Sequence, residues 1–243
     1  MLIVGFTYVA RRITRTRTRI VGARLRPGSF TGHVPLRRRG TMDPQVQKII
    51  DELRERIARE AELFSRGQPA DVNQLALAAG PETAGFLNLL IRTMGAKRIV
   101  EVGTSIGYTA LWLGEAAHAT GGHVVGMEAI EAKHKQALDH IARAGLGDVV
   151  EVRLGDAKAI VQELSGPIDL VFLDAWKDDY CAYFDALLPK LRVGGCIVAD
   201  NITYPTSFAE TMRRYQEHVR AYTNVRSHLL PIGNGEEMSV RIG

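Results

Sequence analysis

The apolar positions of this chain follow two rhythms. Between residues 44 and 64, Val46, Ile49, Ile50, Leu53, Ile57, Leu63 and Phe64 recur at spacings that keep them on one face, with charges between them, the pattern of an amphipathic helix. Asp43 suits its N-cap and Pro44 its first helical position, and Gly67-Gln68-Pro69 stops it. After Gly80-Pro81 a second helix is predicted over residues 82–94. From there short apolar runs alternate with helical ones. Strands are predicted at 98–102, 123–127, 149–153, 170–173 and 196–199, and helices at 108–117, 131–144, 157–164, 179–191 and 207–222. Two last apolar stretches, 225–230 and 238–242, flank the short loop 231–235 and predict an antiparallel hairpin. Repeated βα units predict an α/β fold: a doubly wound, mostly parallel seven-stranded sheet with that hairpin at its C-terminal edge, binding ligands at the strands' carboxyl ends.

The stretch RIVEVGTSIGY, residues 98–108, is where this pattern meets chemistry. An apolar run carrying Glu101 ends in Gly103 and Gly107, which reads as a buried strand entering a tight turn and then a helix. Gly103 lets backbone approach a ligand closely, and the helix that follows points N–H groups at it. Such a loop suits a dinucleotide, a phosphate or the amino-acid end of a sulfonium cofactor. The pattern is E-x-G-x-x-x-G, neither the dinucleotide G-x-G-x-x-G nor a P-loop.

The other strand ends are polar as well. Glu128 ends the second, where a carboxylate can accept bonds from ribose hydroxyls. Asp156 and Ala157 follow the third, either as a turn around an adenine edge or with Asp156 as a plain helix N-cap. Asp174 ends the fourth and Asp200-Asn201 the fifth: two acids and an amide at adjacent strand ends, hard oxygen donors suited to Mg²⁺ or Ca²⁺ and not to zinc. Lys177, three residues past Asp174, is a candidate base if partly desolvated, or a surface charge paired with Asp178 or Asp179. Trp176 is either a stacking surface for a cofactor ring or core.

Composition narrows the setting. The 243 residues suit one α/β domain with an appendage. No apolar run approaches the roughly 20 residues of a membrane-spanning helix, and two isolated cysteines, Cys181 and Cys196, imply a reducing, cytoplasmic setting without a disulfide framework. The net charge of +4 is uneven: residues 1–41 hold ten arginines and no lysine or acid, hence +10, which leaves −6 for residues 42–243. The Arg-rich extension lacks helical period and is expected to be disordered and dispensable, with Met42-Asp43-Pro44 a natural beginning. Nucleic acid is an unfavoured partner for an acidic domain.

Taken together, EVGTSIGYTALWL, VVGMEAI, LGDAKAI, VFLDAWKDDY and VADN, in this order and spacing, resemble the cation-dependent small-molecule O-methyltransferases, a family that includes the catechol and caffeoyl-CoA types. The resemblance runs from about Leu75 to the C-terminus. It implies a class I, Rossmann-like methyltransferase domain over residues 42–243 that binds S-adenosylmethionine. Glu101, Gly103 and Gly107 match the glycine motif, within which Thr104 and Ser105 line the cofactor. Thr109 falls where a hydroxyl holds its carboxylate, Glu128 matches the ribose acid, Asp156 and Ala157 the adenine turn, and Trp176 the aromatic beside it. Ala79, within LAAG, lies where the family wraps the methionine end, and Leu77 there replaces a methionine of the catechol enzyme. Asp174, Asp200 and Asn201 match the Mg²⁺ ligands, Asp174 also bordering the cofactor, and Lys177 matches the general base. Glu237, with Glu236 beside it, falls near an acid that contacts the acceptor's second hydroxyl. The implied reaction is methyl transfer to a small catechol-like or hydroxylated aromatic acceptor by a homodimer, the 44–64 helix being the expected contact. Three readings compete: a tRNA hydroxyuridine methyltransferase, a nucleotide-binding dehydrogenase, and a binding module without activity.

Overall fold

A computed structural model describes residues 42–65 and 75–243. The expectations for residues 1–41 and for the Gly67-Gln68-Pro69 stop lie outside the described residues. The elements run α1 (Pro44–Ser65), α2 (Pro81–Met94), β1 (Arg98–Val102), α3 (Tyr108–Thr120), β2 (His123–Glu128), α4 (Glu131–Arg143), β3 (Val150–Leu154), α5 (Ala157–Glu163), β4 (Ile168–Leu173), α6 (Tyr180–Leu187), β5 (Leu191–Ala199), α7 (Ala209–Arg220), β6 (Val225–Leu230) and β7 (Glu236–Arg241). The strands form one sheet in the order β3-β2-β1-β4-β5-β7-β6. β1 to β5 run parallel, and β7 is antiparallel to both β5 and β6.

Strand pleating sends alternate residues to opposite faces, and each face builds its own core. Ile99, Leu170, Phe172, Cys196 and Val198 point into a cluster closed by α1, α2, α3 and α4 through Ile50, Leu87, Leu111 and Ile141. Val100, Val102, Val171, Leu173, Ile197 and Ala199 point into the opposite cluster, closed by α5, α6 and α7 through Ile160, Phe184 and Tyr215. That is the expected doubly wound sheet. Its strand order reverses between β1 and β4, so the crevice for a ligand opens at their carboxyl ends.

Several boundaries differ from the sequence reading, each for a physical reason. Helix α6 ends at Leu187 instead of 191, because Pro189 cannot continue an α-helix; a single 3-10 turn, Leu188–Lys190, follows. Strand β5 starts at Leu191, its Arg192-Val193-Gly194-Gly195 portion forming a register irregularity against β4 between the pairs Ile168–Leu191 and Leu170–Cys196. Strand β7 starts two residues early, at Glu236, because the sequence gives no apolar signal where two acids enter a sheet. The apolar stripe of α1 (Val46, Ile49, Ile50, Leu53) is buried against the chain's own α3 and α4 side. That first half of the stripe is therefore filled within the chain, while the side chains of Leu63 and Phe64 lie outside the described residues.

Candidate functional site

The glycine loop forms at the centre of the sheet because three backbone hydrogen bonds to two carbonyls hold it. Gly103 N–H and Thr104 N–H both donate to Met127 O of β2 (3.2 and 3.0 Å), and Gly107 N–H donates to Thr104 O (2.9 Å). Gly103 has φ +97°, and a Cβ there would sit 2.3 Å from the Asp174 carbonyl oxygen. Only glycine allows β1 and β4 to end this close together. Gly107, φ +89°, begins α3 against Ala137 of α4, and Ser105 between them takes φ +49°. Thr109 is buried in the first turn of α3.

Glu101 is fully buried on β1. Thr104 Oγ1 donates to its Oε2 (2.8 Å), while Oε1 has no hydrogen-bond partner. Desolvation, reinforced by the nearby Asp174 and Glu128 charges, pushes its carboxyl up to about 8 against the Thr104 bond. Gly126 on β2 makes room for this arrangement, since a Cβ there would meet Thr104 Oγ1 at 2.4 Å. At the end of β2, Glu128 accepts from Ser105 N–H through Oε2 and from Ile130 N–H through Oε1, both 2.8 Å. It pins the glycine loop to the start of α4 and keeps lone pairs for a further donor.

The two readings of Asp156 meet in one residue: it caps α5, accepting from Lys158 N–H at 2.9 Å, and with Ala157 it lies at the site's edge. An ion pair between Lys158 Nζ and Asp179 Oδ1 (2.8 Å) ties that turn to the 3-10 turn Lys177–Asp179. Trp176, just before it, is 72% exposed, which removes the core reading and leaves an accessible ring at the rim. On the other side, the segment before α2 leans on the loop: Ser105 Oγ donates to Ala76 O, and Ala76 N–H donates to Glu60 of α1 (2.7 Å). Ala79 is buried there, and Leu77 stands partly exposed with φ +35°.

The carboxyl ends of β4 and β5 bring together Asp174, Lys177, Asp200 and Asn201. Lys177 is not a surface charge. Its side chain is 9% exposed, and Nζ donates to Asp174 Oδ1 (3.0 Å) and to Tyr180 Oη (2.8 Å). Tyr180 Oη in turn lies 2.9 Å from Leu173 O and 3.2 Å from Asp200 O, so a buried phenol fixes the lysine against both strand ends. Burial raises the Asp174 carboxyl, opposed by Lys177. Burial and then Asp174 push Asp200 up to about 7, and Asn201 N–H donates to its Oδ1. Asn201 is buried with φ +65°, a left-handed conformation asparagine tolerates better than most residues.

Three further residues border the site. Glu236 and Glu237 are both fully buried, and the pleat separates them. Glu236 accepts from Thr83 Oγ1 of α2 (2.7 Å), faces Asp200, and is pushed up to about 10 by burial and that charge. Glu237 faces away, bonded to Gln216 (2.6 Å), Ser227 (2.5 Å) and Arg220 (3.1 Å). Of the two glutamates between which the resemblance left the choice open, the one beside the strand ends is thus Glu236. Tyr180 and Thr83 complete the set. The readable signal for Tyr180 was its place three residues past Lys177, one turn away once a helix begins there. Among the described residues no three His, Cys, Asp or Glu side chains form a metal cluster; the oxygen set here includes an amide.

Known proteins resemble this chain in sequence and in fold. Residues 47–242 match the O-methyltransferase family. Two curated relatives are catechol O-methyltransferases: one from Niastella koreensis, 36% identical over 148 residues (59% of this chain, 66% of that one), and one from Mycobacterium tuberculosis, 35% identical over 144 residues (58% and 64%). The chain thus spans about two thirds of the length of these relatives. Among solved structures, an O-methyltransferase from Bacillus cereus in complex with SAH superposes with TM-score 0.68 at 31% identity, covering 80% of this chain and 90% of that one. TomG of Streptomyces achromogenes, an O-methyltransferase of tomaymycin synthesis in complex with SAM, gives 0.67 at 26%, covering 84% and 92%.

Proposed function

The chain belongs to the O-methyltransferase family, and we propose that it transfers a methyl group from S-adenosylmethionine to a hydroxyl of a small aromatic acceptor of the catechol or caffeoyl-CoA class, with Mg²⁺ at the carboxyl ends of β4 and β5. The observation that carries this reading is the convergence of Asp174, Asp200 and Asn201 with a buried lysine, directly beside a glycine loop.

The residues fit both groups. For the cofactor, the missing Cβ of Gly103 lets the ends of β1 and β4 close up at the crevice, the first turn of α3 presents N–H groups, and Glu128 keeps lone pairs for ribose hydroxyls. For the cation, the donors are all oxygen, and burial disfavours the charges of Asp174 and Asp200 until a dication offsets them. When bound, S-adenosylmethionine supplies an electrophilic methyl carbon on a sulfonium centre. Mg²⁺ when bound supplies Lewis acidity toward the acceptor's oxygens.

The chain's own residues do the rest. Asp174, Asp200 and Asn201 hold the cation at a fixed point of the sheet. Glu101, Gly103, Thr104, Ser105, Gly107 and Thr109 hold the methionine end together with Ala79, while Glu128 holds the ribose and Asp156, Ala157 and Trp176 border the adenine. Lys177 Nζ is the group that takes the proton from the acceptor hydroxyl. Tyr180 keeps that nitrogen on the reacting side. Holding both reactants in one crevice supplies much of the rate.

The test is turnover of a panel of catechols, hydroxycinnamoyl-CoA esters and tRNA with and without EDTA. Chelation should abolish methylation of the preferred phenolic acceptor while S-adenosylhomocysteine still binds. Full activity in chelator would reject the cation, and methylation of tRNA alone would reject the acceptor class.

A further inference from the structure

The segment that precedes α2 is gripped from two sides at one residue. Ala76 is buried; its N–H donates to Glu60 Oε2 on α1 (2.7 Å), and its carbonyl accepts from Ser105 Oγ of the glycine loop. Glu60 is itself held. Arg56, one turn earlier on α1, donates Nε to Glu60 Oε1 (2.7 Å) and Nη1 to Gln136 of α4 (2.6 Å). The next residue of the segment shows what the grip maintains. Leu77 takes φ +35°, a left-handed conformation that a residue with a Cβ resists. Its side chain stands partly in solvent, whereas Ala76 and Ala79 on either side of it are buried. The held neighbours, and not burial of Leu77 itself, keep the backbone on this path.

We propose that Glu60 is a positioning residue for the methionine end of S-adenosylmethionine: through Ala76 it sets residues 76–79 against the glycine loop, so that helix α1 contributes to cofactor affinity. A buried N–H needs an acceptor, and a carboxylate braced by an arginine is a stronger one than a neutral carbonyl. Without it Ala76 keeps a single grip, from Ser105, and Leu77 is free to leave its left-handed conformation. The nucleoside end is held separately. Glu128 has a second donor in Ile130 N–H (2.8 Å), and Gly103 and Thr104 are pinned to Met127 O. Loss of Glu60 is therefore felt at one end of the cofactor and not at the other.

The proposal rests on the S-adenosylmethionine reading, in which Ala79 borders the amino-acid end, and its test separates the two. Binding of S-adenosylhomocysteine and of 5′-methylthioadenosine, which keeps the nucleoside and sulfur but lacks the amino-acid end, is measured by calorimetry on wild type, Glu60→Ala, Glu60→Met and Glu60→Gln, with melting curves for each. Glu60→Ala and Glu60→Met should weaken S-adenosylhomocysteine about five- to fiftyfold, the scale of coupling through one lost charge-assisted bond, and leave 5′-methylthioadenosine within about twofold. Glu60→Gln, which keeps an oxygen for Ala76 N–H at nearly the same size as Met, should recover most of the loss. Equal weakening of both ligands would make Glu60 a structural residue and overturn the proposal. Unchanged S-adenosylhomocysteine binding in Glu60→Ala, or a Gln variant as weak as Met, would overturn it as well. A wild-type protein that binds neither ligand would overturn the cofactor reading along with it. If Glu60→Ala fails to fold, Glu60→Met, which keeps the length of the side chain, carries the same comparison.

Discussion

Gly103→Ala is the sharpest test of how the crevice is built. Two costs are separable at this position. The backbone φ of +97° is left-handed territory, worth about 1–2 kcal/mol to a residue with a Cβ. The added Cβ would also stand 2.3 Å from Asp174 O, 2.8 Å from its carbonyl carbon and 3.1 Å from Ala175 Cα. These are backbone atoms and cannot swing away as a side chain would, so β1 and β4 must part at their carboxyl ends, an overpacking cost of about 1–3 kcal/mol. The sum centres near 3 kcal/mol, or roughly 6–12 °C of melting temperature for a domain of this size. Two other glycines supply controls. Gly95 has φ +61° and no atom within 4 Å of its virtual Cβ, so Gly95→Ala carries the conformational cost alone, about 1–2 kcal/mol. Gly85 lies inside α2 with ordinary φ and open space, so Gly85→Ala should stabilise by up to about 1 kcal/mol. Differential scanning calorimetry of the three variants reads the series, and titration with S-adenosylhomocysteine adds a second readout, since only Gly103→Ala displaces Asp174. A Gly103→Ala protein as stable as Gly95→Ala, with unchanged ligand affinity, would refute the close-approach argument.

Thr104→Val removes the one donor to Glu101 and leaves a buried carboxyl with neither oxygen bonded, so urea unfolding should show a loss of about 1–3 kcal/mol. Glu101 also sets a pH dependence. Its folded-state value, near 8 against an ordinary 4.5, means that folding favours the protonated form. Its stabilisation is complete below 4.5 and is lost as pH rises through 8, so melting temperatures of Glu101→Gln should fall less than wild type across that window. Ile50→Ala, on the fully buried stripe of α1, should cost about 2–5 kcal/mol in thermal or urea unfolding. Lys177→Ala should retain cofactor binding in calorimetry and slow single-turnover methylation by roughly 10²–10⁴-fold, the range of a lost general base.

What the sequence made legible follows from which physical signals are local. β1 is read to the residue, 98–102, because two core faces demand apolar side chains on both sides of a central parallel strand. The glycine loop, Glu128, and the strand-end pair Asp174 and Asp200 are legible because their chemistry is tied to fixed places in a βα unit. Pairings between distant segments are not local, and they account for the rest. Nothing near Glu236 announces that β7 will insert antiparallel beside β5 and deliver that carboxyl to Asp200, with Thr83 meeting it from 153 residues away. Nor does the spacing of two adjacent glutamates say which faces the site, since the pleat sends neighbours to opposite sides and one residue of register exchanges them.

The same placements gather more buried carboxyls than a structural core would hold. Glu101, Asp174, Asp200 and Glu236 crowd the carboxyl ends of neighbouring strands, and burial raises every one of them. In a structural core such a cluster would be a net cost, because each carboxyl is desolvated and each opposes the next. Lys177 offsets part of the charge on Asp174, and Tyr180 fixes that lysine in place. On the proposed function, a dication and the ammonium of the cofactor's amino-acid end would offset the remainder. Each ligand then stabilises the fold by binding the folded state alone, and each relieves repulsion the other also feels. Cation and S-adenosylhomocysteine should therefore raise the melting temperature together by more than the sum of their separate shifts, whereas strictly additive shifts would mean that the strand-end carboxyls do not couple the two sites.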